Sequence, residues 1–284
     1  MFEYYNNLNR FNEQYLDIYN FLLKIADDGY NEHFHWGRFE WMMGHTMLDE
    51  NMLDKIAIFR NKDNNIEGLV TYDTKYKDRT YILHSISDKR LLKNMVEYVL
   101  YSEGNNATIK VNSKDTSLCE ILQEYNFSKK CKEESIIQIN LNRDLSYKIP
   151  DSFFISSPDF INDNWKYQLV LHKGFKHEGI PSLWEERYFK STPNSNKSLK
   201  VFALNEEEYC AHCGVWYTHG KTAYIEPVVT IPQHRKKGLG KAVIYEAINR
   251  AKALGAERAI VLSEQEFYFR IGFEKSSEFF SWTK

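Results

Sequence analysis

The order of strand-like and helix-like stretches is written twice along this chain of 284 residues, and that doubled order restricts the architecture more than any single motif. Residues 13–27 place Leu16, Ile18, Tyr19, Leu22, Leu23 and Ile25 at helical spacing. Strand-like runs follow at 54–60, 66–73 and 79–86, divided by Lys62-Asp-Asn-Asn and Lys75-Tyr-Lys-Asp turns. Asp88 stands where it can cap a helix to about residue 102, with Leu91, Leu92, Met95, Val96 and Val99 facing inward. A strand at 107–111, a short helix at 116–124 and a closing strand at 135–141 complete the half. The second half repeats the series. After helical segments between about 159 and 189 come strands at 199–204, 209–217 and 222–230. The helix at 238–254 carries Val243, Ile244, Ala247, Ile248, Ala251 and Leu254 on one side and Lys241, Glu246, Asn249, Arg250 and Lys252 on the other, and Gly255 ends it. A strand at 258–262, a short helix at 265–270 and a last strand at 276–282 follow. The halves join near residues 145–151, where Pro150 punctuates.

Composition narrows the function. Hydrophobic residues at 43% and aromatic residues at 15% suffice for a core in each half. A formal charge of −2 gives no bulk reason to bind nucleic acid or an anionic membrane, and only Arg235-Lys236-Lys237 forms a local basic run. The start, MFEYYNNLNRF, is polar and aromatic, unlike a signal peptide. No stretch approaches the roughly 18–20 apolar residues that span a bilayer. The expectation is a soluble, cytoplasmic protein, monomer or homodimer, with no membrane or nucleic-acid partner. Four cysteines, Cys119, Cys131, Cys210 and Cys213, are too few for a disulfide framework. Cys210-Ala-His-Cys213 has metal-site spacing, but no second CxxC accompanies it, so it reads as small strand residues and no metal is expected.

The chemistry concentrates between Ala223 and Ala256. A β-branched strand with Val228, Val229 and Thr230 runs into a basic, glycine-containing turn that opens a long helix. Without side chains at Gly238 and Gly240, backbone N–H groups at the helix start can approach an anion closely, and the helix dipole adds favourable potential. Arg235, Lys236 and Lys237 bring charge. This is a pyrophosphate cradle. Neither the GxGxxG dinucleotide fingerprint nor the GxxxxGK[ST] loop is present.

Arg235-Lys-Lys-Gly238-Leu-Gly240 resembles the R/Q-x-x-G-x-G/A acetyl-CoA motif of the GNAT superfamily. It lies where that family requires, after a strand ending Val229-x-x-Pro232 and at a helix start. About thirty residues on, Glu266-Phe-Tyr268-Phe-Arg-Ile-Gly272-Phe273 is similar to the family's "FYeklGF" segment. The close resemblance covers residues 199–284, and the preceding pattern looks like a tandem arrangement. The resemblance implies an α+β chain of two GNAT-like domains, 1–145 and 146–284, each a mixed, largely antiparallel twisted sheet flanked by helices. It also implies acetyl-CoA as acetyl donor in a gap between the strands ending at Thr230 and Leu262. The pantetheine arm would pair with Val228, Val229 and Thr230, and the pyrophosphate would rest on Arg235, Lys236, Lys237, Gly238, Leu239, Gly240 and Lys241. Transfer would go to a primary amine by direct attack on the thioester. Tyr268 matches the family tyrosine that protonates or hydrogen-bonds the leaving thiolate. Glu226 is placed to accept the amine proton, directly or through a water. The N–H of Val228 or Val229 would meet the thioester oxygen.

The first half departs from the pattern at both key places. Its turn reads Ser85-Ile-Ser-Asp88-Lys-Arg-Leu-Leu, without glycine, and setting Tyr125-Asn126-Phe127 against Ile271-Gly272-Phe273 puts Leu122 where Tyr268 sits. That half is expected not to bind acetyl-CoA. Its aromatic run from His33 to Trp41 reads as an inter-domain seam or the lining of an acceptor pocket, the seam being preferred. His172 and His177, with Glu178, Glu185 and Glu186, fall where the acceptor-side helices and loop of the family lie. These acidic residues favour a small cationic amine acceptor. The alternative is a non-catalytic acetyl-CoA sensor or interaction module.

Overall fold

The computed structural model describes residues 2–6, 9–74, 76–179, 181, 192–206 and 208–284. Its first half runs β1 (Phe2–Tyr4), α1 (Glu13–Lys24), α2 (Trp36–Gly44), β2 (Ala57–Arg60), β3 (Ile66–Asp73), β4 (Tyr76–His84), α3 (Lys89–Glu103), β5 (Thr108–Asn112), α4 (Thr116–Glu124) and β6 (Ser128–Asn140). The second runs β7 (Phe154–Ile155), α5 (Asn164–Phe175), β8 (Lys200–Leu204), β9 (Tyr209–Trp216), β10 (Thr222–Thr230), α6 (Leu239–Ala253), β11 (Arg258–Leu262), α7 (Glu266–Arg270) and β12 (Glu274–Thr283). The repeated order is thus present in space.

Local chemistry sets most boundaries. Asp88 caps α3 by accepting from Leu91 N at 2.7 Å, and Asp163 caps α5 by accepting from Trp165 and Lys166 N. Residues 54–56, expected to open a strand, instead belong with a 3₁₀ turn over Glu50–Lys55, because the Asp49 side chain accepts from Asn51 N and starts that turn. Leu254, expected on the buried side of α6, is 52% exposed, because the helix has closed at Ala253. Beyond α5, the expected helical stretch to 189, with Glu185 and Glu186, lies outside the described residues.

Among the described residues, twelve strands form one sheet in the order β1-β2-β3-β4-β5-β12-β6-β11-β10-β9-β8-β7. Most neighbours are antiparallel; β4 with β5 and β10 with β11 are parallel. The centre of the order carries an exchange. Each half gives its last strand to the other: β12 lies against β5, with Trp282 opposite Ile109, and β6 lies against β11, with Ile137 opposite Val261. Ile137 and Ile139 therefore pack in the core of the second half, and Trp282 in that of the first.

Helix α2 seals the seam. Trp36 and Phe39 share a core cluster with Trp216, Tyr224 and Ile260. A Cβ on Gly37 would stand 2.5 Å from Trp216 Cβ, so the close approach of α2 to β9 demands glycine there. The Glu32–Arg258 ion pair at 2.5 Å and the Thr222 hydroxyl donating to Asp27 at 2.6 Å add polar ties across the same boundary.

Candidate active site

Strands β10 and β11 pair in parallel only through Thr222, Ala223 and Tyr224, and β10 then continues to Thr230 with no further ladder to β11. The edge from Ile225 onward faces a gap. On its other side β10 bulges against β9 between Ile225 and Val228, which lifts Glu226 and Pro227 out of register. Val228 lies half-buried on the gap, Val229 is buried toward α5, and Thr230 ends the strand.

The turn after β10 delivers the chain to α6. Gly238 is its N-cap, at φ +83°, with no side chain to occupy the helix start. The first helical bond runs from Ala242 N to Gly238 O at 3.0 Å, so the N–H groups of Leu239, Gly240 and Lys241 have no acceptor within the helix. Arg235, Lys236 and Lys237 are exposed around this opening. Their side chains differ in employment. Arg235 donates to Thr230 O at 3.0 Å and Gly174 O at 3.1 Å, so it braces the turn; Lys237 Nζ donates to His234 Nδ1 at 3.1 Å. Lys241 lies over the Tyr245 ring at 4.8 Å, and the Leu239 side chain is buried in the core. Open N–H groups, a dipole and exposed cations suit a pyrophosphate. At the matching helix of the first half, the Asp88 carboxylate sits on the opening as its cap, and its charge opposes a phosphate there.

The short helix after β11 brings Tyr268 to the same gap. It is buried, packed edge-on against Phe273 at 5.3 Å, and its hydroxyl has no hydrogen-bond partner among the described residues. Burial, then nearby Cys213, Glu134 and Glu226, raise its pKa, so it stays protonated well above neutral pH. The equivalent turn of the first half is superposable in its bonding. Phe273 N donates to Tyr268 O at 3.0 Å, and Phe127 N donates to Leu122 O at 2.9 Å; Gly272 and Asn126 both have positive φ. Leu122 therefore stands in the place of Tyr268, with no hydroxyl to give.

A cavity of about 370 Å³ opens at the gap, and both halves line it. That volume lies within the ~300–1,000 Å³ usual for small-molecule sites. The second half supplies Glu226, Val228, Leu262 and Tyr268; the first supplies His33, Arg38, Asp73, Arg79, Lys110, Glu133 and Glu134. Of the run around α2, His33 and Arg38 line the cavity, whereas Trp36 and Phe39 pack in the seam. Arg38, part of that run but not singled out by the sequence, ties the two halves together at the cavity. Its Nη1 donates to Glu226 Oε1 at 2.5 Å, and its Nη2 donates to both Asp73 oxygens at 2.7 and 2.9 Å. Burial opposes its charge, but Glu226 and Asp73 outweigh burial and hold its pKa above the ordinary value. The Tyr224 hydroxyl donates to Glu226 Oε2 at 2.7 Å, so both oxygens of Glu226 are engaged. Lys110 pairs with Glu133 at 2.9 Å. His33 donates from Nε2 to Lys110 O at 3.2 Å, and burial lowers its pKa to about 4, so it is neutral near pH 7.

The other flagged residues lie elsewhere. His172, at the end of α5, bonds Glu178 O at 3.3 Å, and His212 is fully buried in β9 on Val201 O. Cys210 and Cys213 are buried in β9; burial pushes the Cys210 thiol up to about 11. No group of three or more His, Cys, Asp or Glu that could hold a metal is found among the described residues, nor is any described helix long and apolar enough to cross a membrane.

Residues 163–273 match the model of the Acetyltransferase (GNAT) family. No curated protein matches the chain in sequence. Among solved structures, a GCN5-related N-acetyltransferase from Sphaerobacter thermophilus is similar over 100% of this chain and 95% of its own, with TM-score 0.58 and 12% identity. A tandem GNAT protein from the clavulanic acid biosynthesis pathway is similar over 100% and 98%, with TM-score 0.61 and 10% identity. A GCN5-related N-acetyltransferase from Kribbella flavida is similar over 77% and 86%, with TM-score 0.54 and 13% identity. At these identities the likeness is one of fold, and it extends through both halves.

Proposed function

From the premise that residues 163–273 form a GNAT domain, we propose that the protein transfers an acetyl group from acetyl-CoA to a small primary amine bound in the shared cavity. The single observation that carries this reading is that Tyr268, its hydroxyl unpartnered among the described residues, lines a polar cavity along β10, whose last residue Thr230 lies against Gly240 at the open N-terminus of α6. The pyrophosphate lies on the N–H groups of Leu239, Gly240 and Lys241, with Lys236 and Lys237 nearby. The pantetheine arm follows Val228, Val229 and Thr230, and an N–H of Val228 or Val229 meets the thioester oxygen.

The acceptor enters as an ammonium. It loses one proton to a cavity carboxylate, Glu226 or Glu134, and its nitrogen lone pair attacks the thioester carbon. The C–N bond forms, the C–S bond breaks, and Tyr268 gives its proton to the departing sulfur. The second amine proton restores Tyr268. Among the described residues, the lining holds four carboxylates, Asp73, Glu133, Glu134 and Glu226, against three cations, Arg38, Arg79 and Lys110. This balance favours a singly charged amine over a polyamine.

Thiol release from acetyl-CoA, measured over a panel of glucosamine, lysine, kanamycin, spermidine and a peptide N-terminus, tests the proposal. Wild-type protein releases thiol with at least one amine, and Tyr268→Phe lowers kcat by ~10²–10⁴-fold with acetyl-CoA affinity kept. Tight acetyl-CoA binding with no release on any amine would instead support a sensor.

A further inference from the structure

The four cavity carboxylates among the described residues differ in one respect that bears on the proton. Asp73 is held by Arg38, Glu133 by Lys110 and Ser281, and Glu226 by Arg38 and Tyr224. Glu134 has no hydrogen bond or ion pair from its side chain among the described residues, although it lines the same cavity. It arrives there through the strand exchange. Residue 134 lies on β6, opposite Phe279 of β12, just before the stretch of β6 that pairs with β11. Tyr268 is close enough to feel its charge.

We propose that Glu134, carried on the exchanged strand β6 from the first half, receives the acceptor's ammonium and takes its proton. The assignment rests on the acetyltransferase reading above. Glu226 then acts as a positioning residue, its charge shared between Arg38 and Tyr224. A carboxylate that must accept a proton cannot already be neutralised by a buried guanidinium. Glu134 meets that condition among the described residues, and an incoming ammonium would pair with it directly. Around it stand Glu226 on β10, Glu264 after β11, Arg38 on α2, Arg79 on β4 and Tyr268 on α7. Burial first, then Glu226 and Glu264, raise its pKa above the ordinary carboxylate value, against Arg38 and Arg79. That moves a proton acceptor toward the operating pH. In the free enzyme the base is lost as pH falls through this raised value.

The test is kcat/KM against pH from 5 to 9 for wild type, Glu134→Gln, Glu134→Asp and Glu226→Gln, with whichever panel amine gives the fastest thiol release. Calorimetric acetyl-CoA binding serves as the folding control. Glu134→Gln is expected to lose ~10²–10⁴-fold in kcat/KM and the acidic limb of the profile, with acetyl-CoA affinity within about twofold. Glu134→Asp keeps the limb at a reduced rate, so the assignment remains testable if the glutamine variant fails to fold. Glu226→Gln loses activity but retains the limb. An active Glu134→Gln with its limb intact, or a limb that vanishes only in Glu226→Gln, overturns this assignment alone. A wild type that releases no thiol with any amine overturns the acetyltransferase reading and this assignment with it.

Discussion

Arg38 Nη1 reaches across the seam between the halves to Glu226 Oε1 at 2.5 Å while its Nη2 grips Asp73. A cation from the first half thereby fixes a carboxylate of the second beside the cavity. Truncating Arg38 would leave Asp73, only 2% exposed at the side chain, with Arg79 at 3.6 Å, and Glu226 with the Tyr224 hydroxyl. Arg38→Ala should lower unfolding stability by about 3–5 kcal/mol, the usual result of breaking a buried pair on one side. The urea midpoint measures it. A shift worth under about 1 kcal/mol would mean that water takes over both carboxylates.

Glu134 gives a pH-dependent prediction. Its folded pKa is raised, so its contribution to stability is fully present below the unfolded value and lost as pH rises through the folded one. Glu134→Gln should therefore melt higher than wild type near pH 7.5 and lose that advantage below pH 4. A variant that melts lower at pH 7.5 would show that the carboxylate is stabilised there after all.

Gly238 has φ +83° at the N-cap of α6, and any Cβ there would face Lys148 O at 3.4 Å. Gly238→Val should abolish acetyl-CoA binding, because a β-branched residue resists that conformation and disturbs the open N–H groups. Calorimetry on the wild type should find one site per chain, since the equivalent opening in the first half carries the Asp88 carboxylate. Two equivalent sites, or unchanged affinity in the variant, would contradict the cradle.

The strand exchange predicts the fate of a half chain. A fragment of residues 146–284 lacks β6 and so exposes the edge of β11 and the core surface under Ile137 and Ile139. Full burial of each isoleucine contributes roughly 1.5–3 kcal/mol, a large share of ordinary domain stability. The fragment should be insoluble or inactive by size-exclusion chromatography and thiol release. A soluble, fully active monomer would mean that the second half completes its own sheet.

Much of this was legible in the sequence because it is local. Strands β3 and β10 and helix α4 end where side-chain alternation, turns and caps say they should. Setting Leu122 against Tyr268 needed only the Asn126 and Gly272 turns, and both turns close with the same bond. The exchange of β6 and β12 was not legible, since periodicity says that a segment pairs but not with which neighbour. The first half of β6, Ser128 to Glu134, reads as a solvated charge run; its strand character comes from pairing with β12. Glu134 was hidden inside that run. Arg38 was hidden among aromatics, where its partners lie 35 and 188 residues away.

Acetyl transfer to an amine can be followed through both products in one reaction. Free coenzyme A and N-acetylated amine are quantified together by mass spectrometry in a mixture of protein, isotopically labelled acetyl-CoA and the amine panel. Labelled N-acetyl product and free coenzyme A are expected in equal amounts, both suppressed in Tyr268→Phe. Coenzyme A released without labelled amine, or bound acetyl-CoA that stays intact with every amine, would contradict acetyl transfer.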